Sequence, residues 1–141
     1  MEFDMTTETL WDESYSVGHP TLDSQHRRLL RICNELADCV EFNTPDSDSR
    51  FHEILNDLAD YAREHFATEE TVLKRLGYPH LKEHEQDHFT YIEAFTDILA
   101  HASRGMLDKA GTLLFLAKWW SDHILVTDMQ YRSYIKSAGQ S

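Results

Sequence analysis

Two cysteines, three prolines and five glycines are all that the 141 residues contain of the types that most constrain a backbone. Cys33 and Cys39 stand six apart in one expected helix and point to different faces. That spacing excludes a strain-free bridge between them. Two reduced thiols are therefore expected, with Cys33 in the core, and no paired-cysteine zinc pattern is present. Basic residues are also scarce, 13 Lys and Arg against 25 Asp and Glu, for a formal charge of −12. This argues against nucleic acid and against anionic membrane surfaces as partners. No apolar run approaches the roughly 18 residues that a membrane helix needs. The opening Met-Glu-Phe-Asp-Met-Thr-Thr-Glu is acidic and polar, unlike a secretory signal, so a cytoplasmic location is expected. Strand-like alternation, internal repeats and low-complexity tracts are missing too. What is present is 41% hydrophobic and 27% charged, enough for one domain with a real core.

The few glycines and prolines fall between segments of helical period. Gly18 and Pro20 close an N-terminal arm, residues 1–20, that carries Trp11 and Tyr15. A first helix follows, with Asp23 near its start and Leu22, Leu29, Leu30, Cys33, Leu36, Ala37 and Val40 in helical register. Residues 43–49 read as a loop by composition. A second helix is expected over 50–76, ending at Gly77 before Pro79. Its inward stripe is apolar from Phe51 to Leu76 except at His65 and Glu69. A third helix is expected over 80–102, with Leu81, His84, His88, Ile92, Phe95 and Leu99 on one face. A fourth is expected over 107–134, with Leu113, Leu116, Trp120, His123, Ile124 and Thr127 near one stripe. Four helices of about 20 residues with short loops imply an all-α, antiparallel up-down-up-down four-helix bundle over 21–136, followed by a frayed tail, 137–141.

The functional signal is a set of metal-binding side chains: His26, His65 with Glu69, His84 with His88, and His123 with Asp128. Residues four apart lie on one helix face, one turn apart. Inward side chains of facing helices are how bundles build metal sites. Burying five histidines and two carboxylates in a dry core would be very costly, and a metal removes that cost. Seven ligands are too many for one small ion and suit two ions that share the carboxylates. One spacing stands apart. On an ideal helix positions four apart differ by about 40° and positions five apart by about 140°. Geometry alone therefore nominates Thr127 sooner than Asp128 as the partner of His123.

The chain resembles the hemerythrins, and their bacterial branch more closely, over nearly its full length. The carrying residues are Asp23-Ser-Gln-His26, His65-Phe-Ala-Thr-Glu69-Glu70, His84-Glu-Gln-Asp-His88 and Trp119-Trp-Ser-Asp-His123-Ile-Leu-Val-Thr-Asp128, in that order, preceded by Trp11-Asp-Glu-Ser-Tyr-Ser-Val-Gly18. The resemblance implies that His84, His88 and His123 bind one iron and that His26 and His65 bind the other. Glu69 and Asp128 would bridge the two, with an oxo or hydroxo group. It also assigns Asp128 over Thr127, with a local deformation of the helix or side chains that straddle the cluster. One iron would be six-coordinate and the other five-coordinate. Dioxygen would bind end-on at the open position, be held as hydroperoxide and leave again.

What is implied is reversible binding by an oxygen carrier, store or sensor domain, not an enzyme. A signalling module would be a partner if the chain is an excised domain. The alternative class is a di-iron enzyme with peroxidase, oxidase or nitric-oxide-handling activity, and a third is metal storage. Imidazole suits iron among other transition metals. Carboxylate-rich di-iron bundles use four Glu and two His. Five neutral imidazoles donate less charge, which disfavours the high-valent irons that cleave the oxygen bond.

Around the ligands, Ile92 and Trp119 are candidates for the lining of the oxygen pocket, with core packing the plainer role for Trp119 and for Tyr61. Glu70 and Glu85 read as solvated, His52 and His101 as solvent-facing, and His80 as a helix-start residue. His19 stands where bacterial relatives carry an aliphatic residue. It belongs to the arm or to the mouth of the oxygen pocket, and the arm is favoured.

Overall fold

A computed structural model describes residues 11–42 and 44–139. Among these the secondary structure is helical throughout, in the order α1 (Pro20–Glu41), α2 (Pro45–Leu76), α3 (Leu81–Ser103), α4 (Lys109–Asp122) and α5 (Arg132–Gly139). A π-helical turn, His123–Thr127, and a 3-10 turn, Asp128–Tyr131, join α4 to α5. Helix α1 packs on α2 and α4, and α2 packs on α3, which gives the expected four-helix bundle. No helix among the described residues is long and apolar enough to cross a membrane.

The core follows the periodic stripes. Leu29, Leu36, Phe51, Leu55, Leu58, Leu113, Leu116 and Trp120 are sealed from solvent in one apolar cluster. Full burial of each such side chain is worth roughly 1.5–3 kcal/mol. A smaller cluster of Val17, Leu22, Leu73, Tyr78, Tyr131 and Ile135 closes the opposite end. Both cysteines are free and buried. Cys33 lies in the core as expected, and burial pushes its thiol up to about 12.

Three boundaries differ from expectation. Helix α2 begins at Pro45, inside the stretch read as loop. Thr44 and Ser47 form a reciprocal capping box, Pro45 takes the first turn, and Asp46 and Asp48 face the positive end of the helix dipole. A polar composition that looks like a loop is here a helix start. At the other end, α5 continues to Gly139, so residues 137–139 of the expected tail are helical, and residues 140–141 lie outside the described residues. The fourth helix is not one uninterrupted α-helix over 107–134, because the π turn divides it. Helix α2 stops at Gly77 as expected, in the left-handed region at φ +69°.

Residues 1–10 lie outside the described residues, and the end of the arm, at Ser16 and Val17, is anchored by Asp23. Its carboxylate accepts hydrogen bonds from the Ser16 hydroxyl (2.5 Å) and the Val17 amide (2.9 Å). His19 caps α1, its Nδ1 accepting from the Leu22 amide at 3.3 Å.

Candidate metal centre

His26 on α1, His65 and Glu69 on α2, His84 and His88 on α3, His123 at the end of α4 and Asp128 beyond it converge between the two apolar clusters. All seven are at most 3% exposed. Glu69 lies at their middle and divides them. Its Oε1 is 2.5 Å from His84 Nε2, 2.9 Å from His88 Nε2 and 3.4 Å from His123 Nε2. Its Oε2 is 3.5 Å from His26 Nε2 and 3.4 Å from His65 Nε2. Asp128 makes the same division: Oδ1 is 3.1 Å from His84 and 3.0 Å from His123, and Oδ2 is 2.9 Å from His26.

The π turn is what delivers Asp128. The Asp128 amide donates to the His123 carbonyl, five residues back. The wider turn brings residues five apart onto one face, and such insertions are frequent at functional sites. Asp128 is therefore fully buried in the cluster, while Thr127 is only half-buried outside it. The α-helical geometry that favoured Thr127 does not apply at this turn.

The donor set fits metal ions. Four donor atoms from Glu69, His84, His88 and His123 lie within 4.8 Å of one another, as do four from His26, His65, Glu69 and Asp128. First-row metals sit roughly 2.0–2.2 Å from such donors, so opposite ligands are expected about 4 Å apart. Both ring nitrogens of His26, Nε2 of His65 and both oxygens of Asp128 are buried with no hydrogen-bond partner. Orphaned polar atoms at several protein contacts of 2.9–3.5 Å are costly unless something else binds them.

Electrostatics tell the same story in protons. Burial lowers the imidazolium pKa of His26, His84 and His123, but Glu69 and Asp128 overcome it and hold them up at about 9, 10 and 9. At His65 burial wins and the pKa falls. Burial also opposes ionisation of Glu69 and Asp128, yet the surrounding histidines hold both carboxyls below the usual range.

Residues outside the expected set support the ligands. The Gln25 Oε1 lies 2.7 Å from His65 Nδ1, and its Nε2 donates to the Thr68 hydroxyl at 3.4 Å. The Tyr131 hydroxyl donates to Glu69 Oε2 at 2.9 Å. Phe66 stacks on His88 with ring centroids 3.9 Å apart. Glu70 corrects the solvated reading: its Oε2 lies 2.7 Å from His88 Nδ1. Each of these neighbours a ligand in sequence or stands one turn from it, and that adjacency was the available signal. A residue next to a ligand on one helix reaches the ligand of the adjoining helix.

Trp119 stacks on His123 at 4.5 Å and is half-buried. Ile92 is half-buried beside Phe95 and also lines a surface depression with Glu70, Lys82, Glu85, His88 and Phe89, on the three-histidine side. Tyr61 is partly buried under the Arg28 guanidinium. Glu85, His80 and His101 are exposed and His52 is half-buried.

Residues 17–135 match the model of the hemerythrin HHE cation binding domain. The chain belongs to the hemerythrin family. A myohemerythrin of Riftia pachyptila is 30% identical over 132 residues, 94% of this chain and 98% of that protein. A bacteriohemerythrin of Stenotrophomonas maltophilia is 26% identical over 130 residues, 91% of this chain and 82% of that one. A crystal structure of wild-type hemerythrin superposes with a TM-score of 0.82 at 23% identity, over 92% of this chain and 98% of the other. The cluster is thus a hemerythrin-type metal site, with a donor set consistent with iron.

Proposed function

We propose that this hemerythrin-family chain binds dioxygen reversibly at a pair of iron ions, as a carrier, a store or an oxygen-sensing domain, and not as an enzyme. The observation that carries this is the division of Glu69 and Asp128. Each carboxylate turns one oxygen to the three-histidine set and the other to the His26 and His65 set. His84, His88 and His123 would hold one ion and His26 and His65 the other, with Glu69 and Asp128 shared between them. With two histidines against three, the second ion would have a position left for dioxygen.

A bridged di-iron pair supplies two electrons to dioxygen on binding and takes them back on release. The rest is done by the chain. Glu69 and Asp128 hold the two sites at a fixed spacing and offset positive charge. His65 has the rings of Phe66 and Trp120 beside it, with centroids 5.9 and 6.0 Å away, apolar surface that would keep water from its half of the site. Five neutral imidazoles give less charge than a carboxylate-rich set, which favours holding reduced, protonated dioxygen over cleaving it.

The test is the optical spectrum of the iron-loaded protein, deoxygenated and then exposed to oxygen. A visible charge-transfer band should appear with oxygen and vanish when oxygen is removed. Absence of a reversible band, or rapid autoxidation with release of hydrogen peroxide, overturns the reading. Steady turnover with a reductant would establish the enzymatic alternative in its place.

A further inference from the structure

Behind the ligands the two halves of the site are braced by different chemistry. His88, in the three-histidine half, has its Nδ1 2.7 Å from the carboxylate of Glu70. His65, in the two-histidine half, has its Nδ1 at the same 2.7 Å from the amide oxygen of Gln25. In both cases the acceptor places the proton on Nδ1 and leaves Nε2 as the inward donor. A carboxylate behind an imidazole raises its basicity toward a metal, and an uncharged amide does so less. Gln25 is fixed in this role, since its Nε2 donates to Thr68 Oγ1, whose own hydroxyl donates to the Glu64 carbonyl at 3.0 Å. Tyr131 adds to the difference. Its hydroxyl donates to Glu69 Oε2, the oxygen turned toward His26 and His65, and withdraws charge more from that oxygen than from Oε1.

We infer that Gln25, Glu70 and Tyr131 are positioning residues that make the two halves electronically unequal, so that the ion held by His84, His88 and His123 is oxidised first and the ion held by His26 and His65 last. The inference rests on the two-iron reading. Uptake of dioxygen would draw one electron from each ion, and the unequal braces set the order in which the two are given.

Anaerobic potentiometric titration of the iron-loaded protein tests this, with soluble redox mediators as the electron partners. Each iron gives one electron to the mediator pool in its own step. Two resolved steps are expected for the wild type. Glu70→Gln should raise the lower-potential step by about tenfold in the oxidised-to-reduced ratio, which is about 59 mV for one electron, and leave the other in place. Gln25→Glu should lower the higher-potential step by a similar factor and narrow the gap. Gln25→Leu, which removes the brace, should weaken iron binding in the two-histidine half by about 10–100-fold, and Gln25→Glu should not. Steps that ignore both substitutions, or that move together with either, overturn the inference while leaving the two-iron reading intact. Uptake of fewer than two irons by the wild type overturns both.

Discussion

The apolar core and the ligand layer are built from the same helices and are held together by opposite means. Leu58 and Leu116 lie in an apolar cluster where burial itself is stabilising. One or two turns away the same stripes carry His65, Glu69, His84 and His88, where burial without a ligand is a cost. The core tolerates no particular chemistry and demands volume. The ligand layer tolerates volume changes poorly and demands particular atoms. A fold of this kind places its stability in one region and its function in another, joined by continuous helices.

The comparison is broken most completely at Glu69, which touches both halves of the site. Glu69→Gln keeps the volume but removes the charge that faces all five histidines. Iron content should fall from two per chain to one or fewer, with loss of the oxygen-dependent spectrum, while the helical circular dichroism persists. Elemental analysis after reconstitution checks it, and two retained irons would remove Glu69 from the bridge.

The converse change is Leu58→Ala in the core. Truncation of a sealed leucine costs about 2–5 kcal/mol, a large share of the 5–15 kcal/mol typical of a domain. Denaturant unfolding should show this loss in the iron-loaded and metal-free proteins alike. Iron stoichiometry should not change. A fall in iron uptake with no loss of stability would mean that the two regions are not separable in this way.

A smaller effect separates the metal-free from the loaded protein by pH. His26, His84 and His123 hold protons more tightly in the folded chain than an unfolded histidine does, with values near 9, 10 and 9 against 6.5. Their contribution to stability is fully present below pH 6.5 and is lost as pH rises through 9 to 10. The opposite shift of His65 acts only below about pH 6.5 and leaves that window unaffected. Metal-free protein should therefore lose stability as pH rises from 6.5 to 9.5. Loaded protein should not, because metal binding displaces those protons and tightens as pH rises. Thermal melts across that range check the sign. Parallel pH profiles for the two forms would exclude metal ions from these nitrogens.

Much of this architecture is legible in the chain because the same periodicity that buries Leu55 and Leu58 carries His65 and Glu69 onto the inward face. Four interrupted stripes are enough to nominate six of the seven residues that cluster. Asp128 is different. Its position depends on a π turn that no regular periodicity encodes, so resemblance and not spacing nominates it. The brace residues were hidden for another reason. Gln25 and Glu70 sit about 100° around their helices from His26 and Glu69, which reads as off the face. Only the lateral contact between neighbouring helices shows that they reach His65 and His88. The start of α2 was hidden by composition, since capping residues and loop residues are the same types.

The smallest expected effect belongs to His19, whose place was open between the arm and the oxygen pocket. In the structure its ring caps α1 and lines a surface groove with Gly18, Val72, Arg75, Leu76 and Ile135. The groove adjoins the small apolar cluster and not the ring layer of Phe66, Trp119 and Trp120. His19→Leu removes an N-cap acceptor whose bond is long, 3.3 Å, so a cost of about 0.5–1 kcal/mol is expected, at the low end for caps. That loss should appear in denaturant unfolding, and restoring a short acceptor with His19→Asn should recover it. Oxygen affinity and autoxidation rate should be unchanged in both variants. A change in either, in a variant whose stability matches wild type, would move His19 from the arm to the mouth of the pocket and make the small cluster part of the functional region.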